Sequence, residues 1–275
     1  VVVLGRDPDK GRAVTGSSGG RGTFLRVDLD SVAATRAAIA RIRAEHPVVD
    51  TLVFCARYYR SRRTETVDGL EATFAHFYLS RFLFGHGLAE ELARAPRPLI
   101  VNVAGPGGPL SAANLGDLQA RRHYHGGAAL GQGGKLNDLL GVAYAQRHPD
   151  SPVRYLLVHP GVTATAVTGS YDRATLAMVQ DMRQHAKPVA AAADPILALI
   201  DARPPNVSAP TSRARASPSP GRISTRAPPA PSTVTPGNCS PPSADRRPHP
   251  PAASARTGTP ATGSGAARRA AASRG

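Results

Sequence analysis

The residue types and spacings in this chain that could do chemistry gather in one stretch, residues 130–165, which reads LGQGGKLNDLLGVAYAQRHPDSPVRYLLVHPGVTAT. Leu136, Leu139, Leu140, Ala143 and Tyr144 recur at helical spacing behind Lys135, which gives a helix one apolar face and puts the amine near its start. Val153, Tyr155, Leu156, Leu157 and Val158 form a short, largely apolar run, the pattern of a strand covered on both faces. His159-Pro160-Gly161 then stops the strand. Helix, polar turn, buried strand and Pro-Gly loop make the second half of a βαβ unit, which ends at a ligand-facing sheet edge. Upstream, His123, Tyr124 and His125 offer a phenol between two imidazoles, a group of the acid/base type. No third residue fixes their geometry, so a polar loop with chance histidines is the simpler account.

Lys135, the Asn137-Asp138-Leu139-Leu140 that follows it, and HPGVTAT from His159 to Thr165 resemble the catalytic helix and sixth strand of the short-chain dehydrogenase/reductase family, in its retinol-dehydrogenase-like branch. The resemblance runs from residue 1 to about residue 200. It implies a Rossmann-like doubly wound parallel sheet of the α/β class, NADP or NAD as cofactor, and hydride transfer between nicotinamide and a small carbonyl or alcohol substrate. Carried over position by position, Lys135 is the catalytic lysine that also holds the ribose, and Arg6, at the end of a strand, meets the 2′-phosphate of NADP. Asp28 and Leu29 match the pair near the adenine, Ala56 the small residue by the nicotinamide ribose, and Pro160, Gly161 and Thr165 the nucleotide-binding loop after the sixth strand. DGLEATFAHFYLSRFLF, from Asp68, resembles the crossover that usually forms the family's dimer helix, which implies a homodimer through a helix over 66–95.

The chain departs from the family pattern where the chemistry is done. Tyr-x-x-x-Lys reads Gly131 to Lys135, the carbonyl-polarising serine is Gly105, and the active-site asparagine is Phe77. Of Asn-Asn-Ala-Gly after the fourth strand only Ala56 agrees, and Arg57 stands where glycine lets the backbone approach the cofactor. Thr15-Gly16-Ser17-Ser18-Gly19-Gly20-Arg21-Gly22 has the letters of the Gly-rich cofactor loop. That loop needs a strand leading in and a helix leading out, whose terminal N–H groups hold the pyrophosphate. Here a strand follows, so the glycines read as a mobile linker. Residues 1–4 match the family's second strand, so the sheet is expected to lack its first, central strand. The implied function is an NAD(P)-dependent oxidoreductase by descent, a truncated pseudoenzyme in this chain. The second reading is a catalytically silent binding or dimerisation module.

The elements that must position these residues are strands over 1–4, 24–28, 49–55, 98–103 and 153–158, by apolar runs and β-branching. Asp30-Ser31 can cap a helix over 32–45 with Val32, Ala33, Ile39 and Ile42 inward. Phe74, Leu79, Phe82, Leu83, Phe84 and Leu88 are expected to point inward from the 66–95 helix, or two helices, and residues 166–200 read as mixed helix.

Composition divides the 275 residues into a domain over 1–202 and a tail over 203–275. The tail holds 15 of the 26 prolines, eleven arginines and one acid, Asp245, so it carries +10 of the net +15 and reads as disordered. The high isoelectric point is therefore mainly a property of the tail. With no aromatic residue to stack on bases, the tail would bind polyanions non-specifically, and no specific nucleic acid is expected. Its Ala, Arg, Pro, Ser, Gly and Thr bias is what GC-rich coding DNA yields in a shifted frame, and Val1 in place of Met suggests a missing beginning. Cys55 and Cys239 make neither a disulfide framework nor a metal cluster, which points to a reducing cytoplasm. No run of about 18 apolar residues suggests a membrane span.

Overall fold

Three β-branched valines start the chain, and Val2–Gly5 forms strand β1. The fold is described from a computed structural model for residues 1–165 and 168–202. The expected disordered tail, 203–275, lies outside the described residues. After β1 comes a helix that apolar periodicity did not announce, α1 over Pro8–Gly16. Its start is local chemistry: Asp7 accepts from the backbone N–H groups of Asp9 and Lys10, and Pro8 opens the first turn. Gly11 lets this helix cross strand β2, Thr23–Arg26, at close range, since a Cβ there would fall 2.2 Å from the Phe24 ring. The glycine cluster at 16–22 leads from helix into strand, with Gly19 and Gly20 at φ 61° and 78°. It is a hydrogen-bonded turn, Ser18 N–H and Oγ both donating to the Thr15 carbonyl, rather than a loose linker.

Ser31 caps α2, Val32–Glu45, by accepting from Ala34 N–H at 3.2 Å. Its inward stripe is Thr35, Ala38, Ile39 and Ile42; Ala33 points to solvent because the 3.6-residue period carries the stripe past it. Strands β3, Thr51–Phe54, and β4, Tyr59–Arg60, follow. The helix expected over 66–95 begins six residues later and is broken. Gly69 takes φ 71° in a turn closed by Thr66 N–H to the Leu70 carbonyl, and Glu71 caps the first helical turn. The segment then runs as α3, Ala72–Phe74, a π-helical turn, Ala75–Leu79, α4, Ser80–Gly87, and α5, Ala89–Ala93. Strand β5, Leu99–Val103, helix α6, Gly126–Arg147, strand β6, Arg154–Val158, strand β7, Gly169–Ser170, and helices α7, Arg173–Gln184, and α8, Val189–Ala202, complete the order.

Among the described residues the strands pair in parallel, as a βαβ chain requires, but the main sheet is in two pieces. β1 pairs with β2, placing Leu4 opposite Leu25. β5 lies between β3 and β6, with Val101 opposite both Val53 and Leu156. Among the described residues β1 and β3 are not paired, so each keeps one open edge where the expected central strand would lie. A short third ladder joins β4 to β7.

Helices cover both faces. Ile39 of α2, Phe84 and Leu88 near α4, and Leu140 and Tyr144 of α6 form one apolar cluster with Leu25, Phe54, Ile100 and Tyr155. This cluster draws on both sheet pieces and holds them in one body. On the other face Leu99, Val101, Leu156 and Val158 pack against Ile196, Leu199 and Ile200 of α8. The architecture is α/β and doubly wound, with a divided sheet.

Candidate functional site

The C-terminal ends of β5 and β6 hold the first group of residues. Lys135 lies in α6, and its amine is 2.8 Å from an oxygen of Asp138 one turn on, with both side chains largely buried. The same Asp138 oxygen accepts from Gly107 N–H at 3.1 Å, which folds the glycine-rich loop after β5 toward the pair. Gly105 starts this loop, and a Cβ there would touch only the His159 ring edge, at 3.7 Å. His159 Nδ1 in turn accepts from Gly161 N–H at 3.0 Å, and Gly161 turns the chain at φ 77°. Beyond it, Thr163 Oγ1 donates to the Gly161 carbonyl, and Thr165 N–H donates to Thr163.

Gly131 stands one helical turn before Lys135, and a Cβ there would meet nothing within 4 Å. Phe77 is buried in the π turn, and its ring packs against Gly133, where a Cβ would fall 2.6 Å from Cδ1. Gly133 is thus fixed by Phe77, whereas Gly131 faces open space. Lys135 has a carboxylate beside it and no phenol. Tyr124 does not supply one: its hydroxyl, half-buried with its pKa raised chiefly by burial, donates to the Arg60 carbonyl at 3.0 Å and lies 3.3 Å from Thr73 Oγ1. His125 caps α6 at Ala128 N–H.

A second group lies after β1 and β2. Arg6 is 3.9 Å from Asp28 and 3.5 Å from Asp30. Asp30 also accepts from Arg60 at 2.6 Å and pairs with His76 Nδ1 at 2.8 Å. Burial works against the Asp30 charge, but the His76 hydrogen bond and the charges of His76, Arg60 and Arg6 outweigh it and hold the carboxyl below its ordinary range. Tyr58 lies under both Arg6 and Arg60, at 5.4 and 4.7 Å from its ring centre. Leu29 packs against the apolar cluster.

Between the groups lies Ala56, whose carbonyl accepts from Arg81 Nη2 at 2.8 Å. Arg81 comes from α4 and is 2% exposed, yet it faces no carboxylate among the described residues. It donates to Asn102 Oδ1 and to the Val103 carbonyl, and its guanidinium lies 4.5 Å from the Phe77 ring centre. Burial brings its pKa down to about 10. Asn102 Nδ2 continues the network to Asn137 and to the Tyr155 hydroxyl, and Asn137 Nδ2 donates to the Phe77 carbonyl. His76 and Arg81 were not singled out from the sequence. The available signal was an arginine directly before the apolar run Phe82-Leu83-Phe84, and a histidine within the segment that forms the π turn.

The expected site residues therefore fall into two clusters and a bridge. Lys135, Pro160, Gly161 and Thr165 share one end; Arg6, Asp28 and Leu29 share the other; Ala56 is linked by Arg81 to β5. The resemblance assigns these groups to the two ends of a dinucleotide, and its middle is left without a matching cradle. Among the described residues, the one glycine-rich turn from the 15–22 segment leads into β2, not into a helix start that could hold a pyrophosphate. Cys55 is free and exposed.

No protein-family model matches the chain. Retinol dehydrogenase 11 of Mus musculus is 30% identical over 176 residues, which is 61% of this chain and 55% of that protein. Retinol dehydrogenase 12 of the same organism is 27% identical over 143 residues, 52% of this chain and 45% of that one. The chain spans about half the length of these curated relatives. Among solved structures, a short chain dehydrogenase from Burkholderia cenocepacia, in complex with NADP, aligns at TM-score 0.56 and 18% identity over 75% of this chain and 82% of that one. Sequence and fold agree in their likeness: the chain resembles these retinol dehydrogenases in sequence, and its fold is that of a short-chain dehydrogenase.

Proposed function

We propose that this chain descends from NAD(P)-dependent oxidoreductases and, as given, keeps their scaffold without transferring hydride. The observation that carries this reading is at Lys135. Hydride transfer to a carbonyl needs a proton donor, and in the family the lysine lowers the pKa of a tyrosine hydroxyl that supplies it. Here the Lys135 amine is neutralised by Asp138, and the tyrosine position, Gly131, opens onto empty space. Gly105 offers no hydroxyl to polarise a carbonyl, and Phe77 points its buried ring at α6.

The test is NADPH and NADH oxidation with a panel of small aldehydes and ketones, and the reverse reaction with secondary alcohols. The expected result is no turnover above the protein-free rate. Gly131→Tyr with Gly105→Ser fits the space described and should fold, yet remain without turnover because the middle of the dinucleotide has no cradle. Turnover by the unmodified chain would sink the proposal.

A silent binding or dimerisation module is the second reading, and two observations favour it. Arg6, with about half of its side chain exposed, is able to meet an adenosine 2′-phosphate, and Asp28 beside it matches the residue near the adenine. The homodimer is the one implied through the 66–95 helix, and Leu139 and Val142, 37% and 46% exposed on α6, which packs against that segment, would add apolar surface to it. Adenosine 2′-phosphate binding lost in Arg6→Ala, and a concentration-dependent mass lowered by Val142→Glu, would support the two parts of this reading separately.

A further inference from the structure

The C-terminal end of α6 is held to α4 through two imidazoles. His86 lies in the last turn of α4 and His148 caps the end of α6; His86 Nδ1 stands 2.9 Å from His148 Nε2, with the rings inclined by 29°. Tyr144, one turn earlier in α6 and 1% exposed, packs its ring 5.3 Å from that of His86 and 4.5 Å from that of His148. Phe82 adds a ring 4.6 Å from His86. The four rings make one aromatic seam between the two helices.

A nitrogen-to-nitrogen contact of this length needs one proton between the two facing atoms, and either ring can carry it. Two protons there would set N–H against N–H. Protonation of His86 alone is also costly, since an imidazolium carries hydrogen on both nitrogens and His86 Nε2 is buried without a partner among the described residues. The surrounding charges do not offset this. Arg147 and His148 face His86 from the α6 side, Arg36 and Arg43 line the α2 side, and Glu90 and Glu91 of α5 are bonded to Arg43. Asp150, beyond His148, is exposed to solvent. Burial first, then His148 and Arg147, hold the His86 pKa below its ordinary 6.5, so the unfolded chain takes up this proton more readily than the folded one. The stability of the seam is therefore lost as pH falls below that ordinary value.

We propose that His86 and His148 form a proton-operated latch between α4 and the last turn of α6, closed at neutral pH and released in mild acid. Release is local, because the Tyr144 ring also rests on Tyr155 of β6, 5.5 Å away, and Leu140 keeps α6 in the apolar cluster. What loosens is the turn closed by His148 N–H to the Tyr144 carbonyl at 3.0 Å, and with it the connection into β6.

The test compares amide hydrogen exchange of the full chain at about pH 7.5 and about pH 5.5, corrected for the intrinsic effect of pH on exchange. The amides of residues 88 and 148, which close the ends of α4 and α6, should lose about tenfold in protection in acid, while those of β5 keep theirs. His86→Gln keeps a donor and an acceptor for His148 Nε2 and cannot take up a proton, so its protection at both positions should respond to pH no more than β5 does. Nitrogen NMR of the parent gives an independent reading: the two imidazoles should take up protons in two separated steps. An equal acid response in parent and His86→Gln, an unresponsive parent, or two imidazoles that titrate as independent groups would overturn the latch.

Discussion

At the scale of single residues, the ion pair between Lys135 and Asp138 decides what the lysine does. Both side chains are about nine-tenths buried, so neither is cheaply left alone. Asp138→Asn should cost about 1 to 3 kcal/mol in urea unfolding, because it leaves a largely buried ammonium without its counter-charge. A loss within measurement error would show that the pair contributes orientation but no stability. Asp30 gives a pH-dependent counterpart. Its pKa lies below the ordinary 3.8 in the folded state, so the unfolded chain binds more protons in that range. The stability it supplies is present above the unfolded value and is lost as pH falls through the folded one. Asp30→Asn should therefore lower stability at pH 7, and its difference from the parent should shrink as pH falls below about 4. A difference independent of pH would contradict this assignment. Lys135 itself was legible from its motif, but the partner that ties it was not, since Asp138 reads equally well as a solvated helix residue.

The elements were legible where burial writes a pattern. β3, β5 and β6 announce themselves by apolar runs, and α2 by its cap and period. α1 was missed because its helix rests on Asp7 and Pro8 and buries little beyond Gly11. The 66–95 segment was legible as one helix or two, but its π turn was not, because a π turn changes hydrogen bonding without changing composition. Arg81, from the helix after that turn, ties the ends of β3 and β5 through the carbonyls of Ala56 and Val103. Arg81→Leu removes a costly buried charge but strands these acceptors and Asn102 Oδ1. The acceptors outnumber the gain, and a net loss of about 2 to 4 kcal/mol is expected. Arg81→Lys should recover only part of it, because an ammonium cannot span both strand ends as a planar fork does. Full recovery by lysine in thermal unfolding would show that charge, not reach, is what matters there.

On the scale of the whole molecule, the division of the sheet joins the fold to the proposed loss of activity. The break was legible only through the family's strand order, since the apolar patterns of β1 and β3 look like any buried strand. It leaves β1 and β3 each with one open edge, and the residues that the resemblance assigns to the two ends of a dinucleotide, Arg6 and Asp28 on one side and Lys135 on the other, belong to different pieces of the sheet. Supplying an apolar strand followed by a Gly-rich helix start should fill the gap, raise the melting temperature and restore dinucleotide binding. Amide hydrogen exchange tests the division most directly. In β5, paired on both sides, all the strand amides should be protected to a similar degree. In β1 and β3, alternate amides along the open edge should exchange faster than their neighbours by orders of magnitude. Uniform protection of residues 2–5 and 51–54, equal to that of β5, would mean that the two pieces form one continuous sheet and would contradict the account.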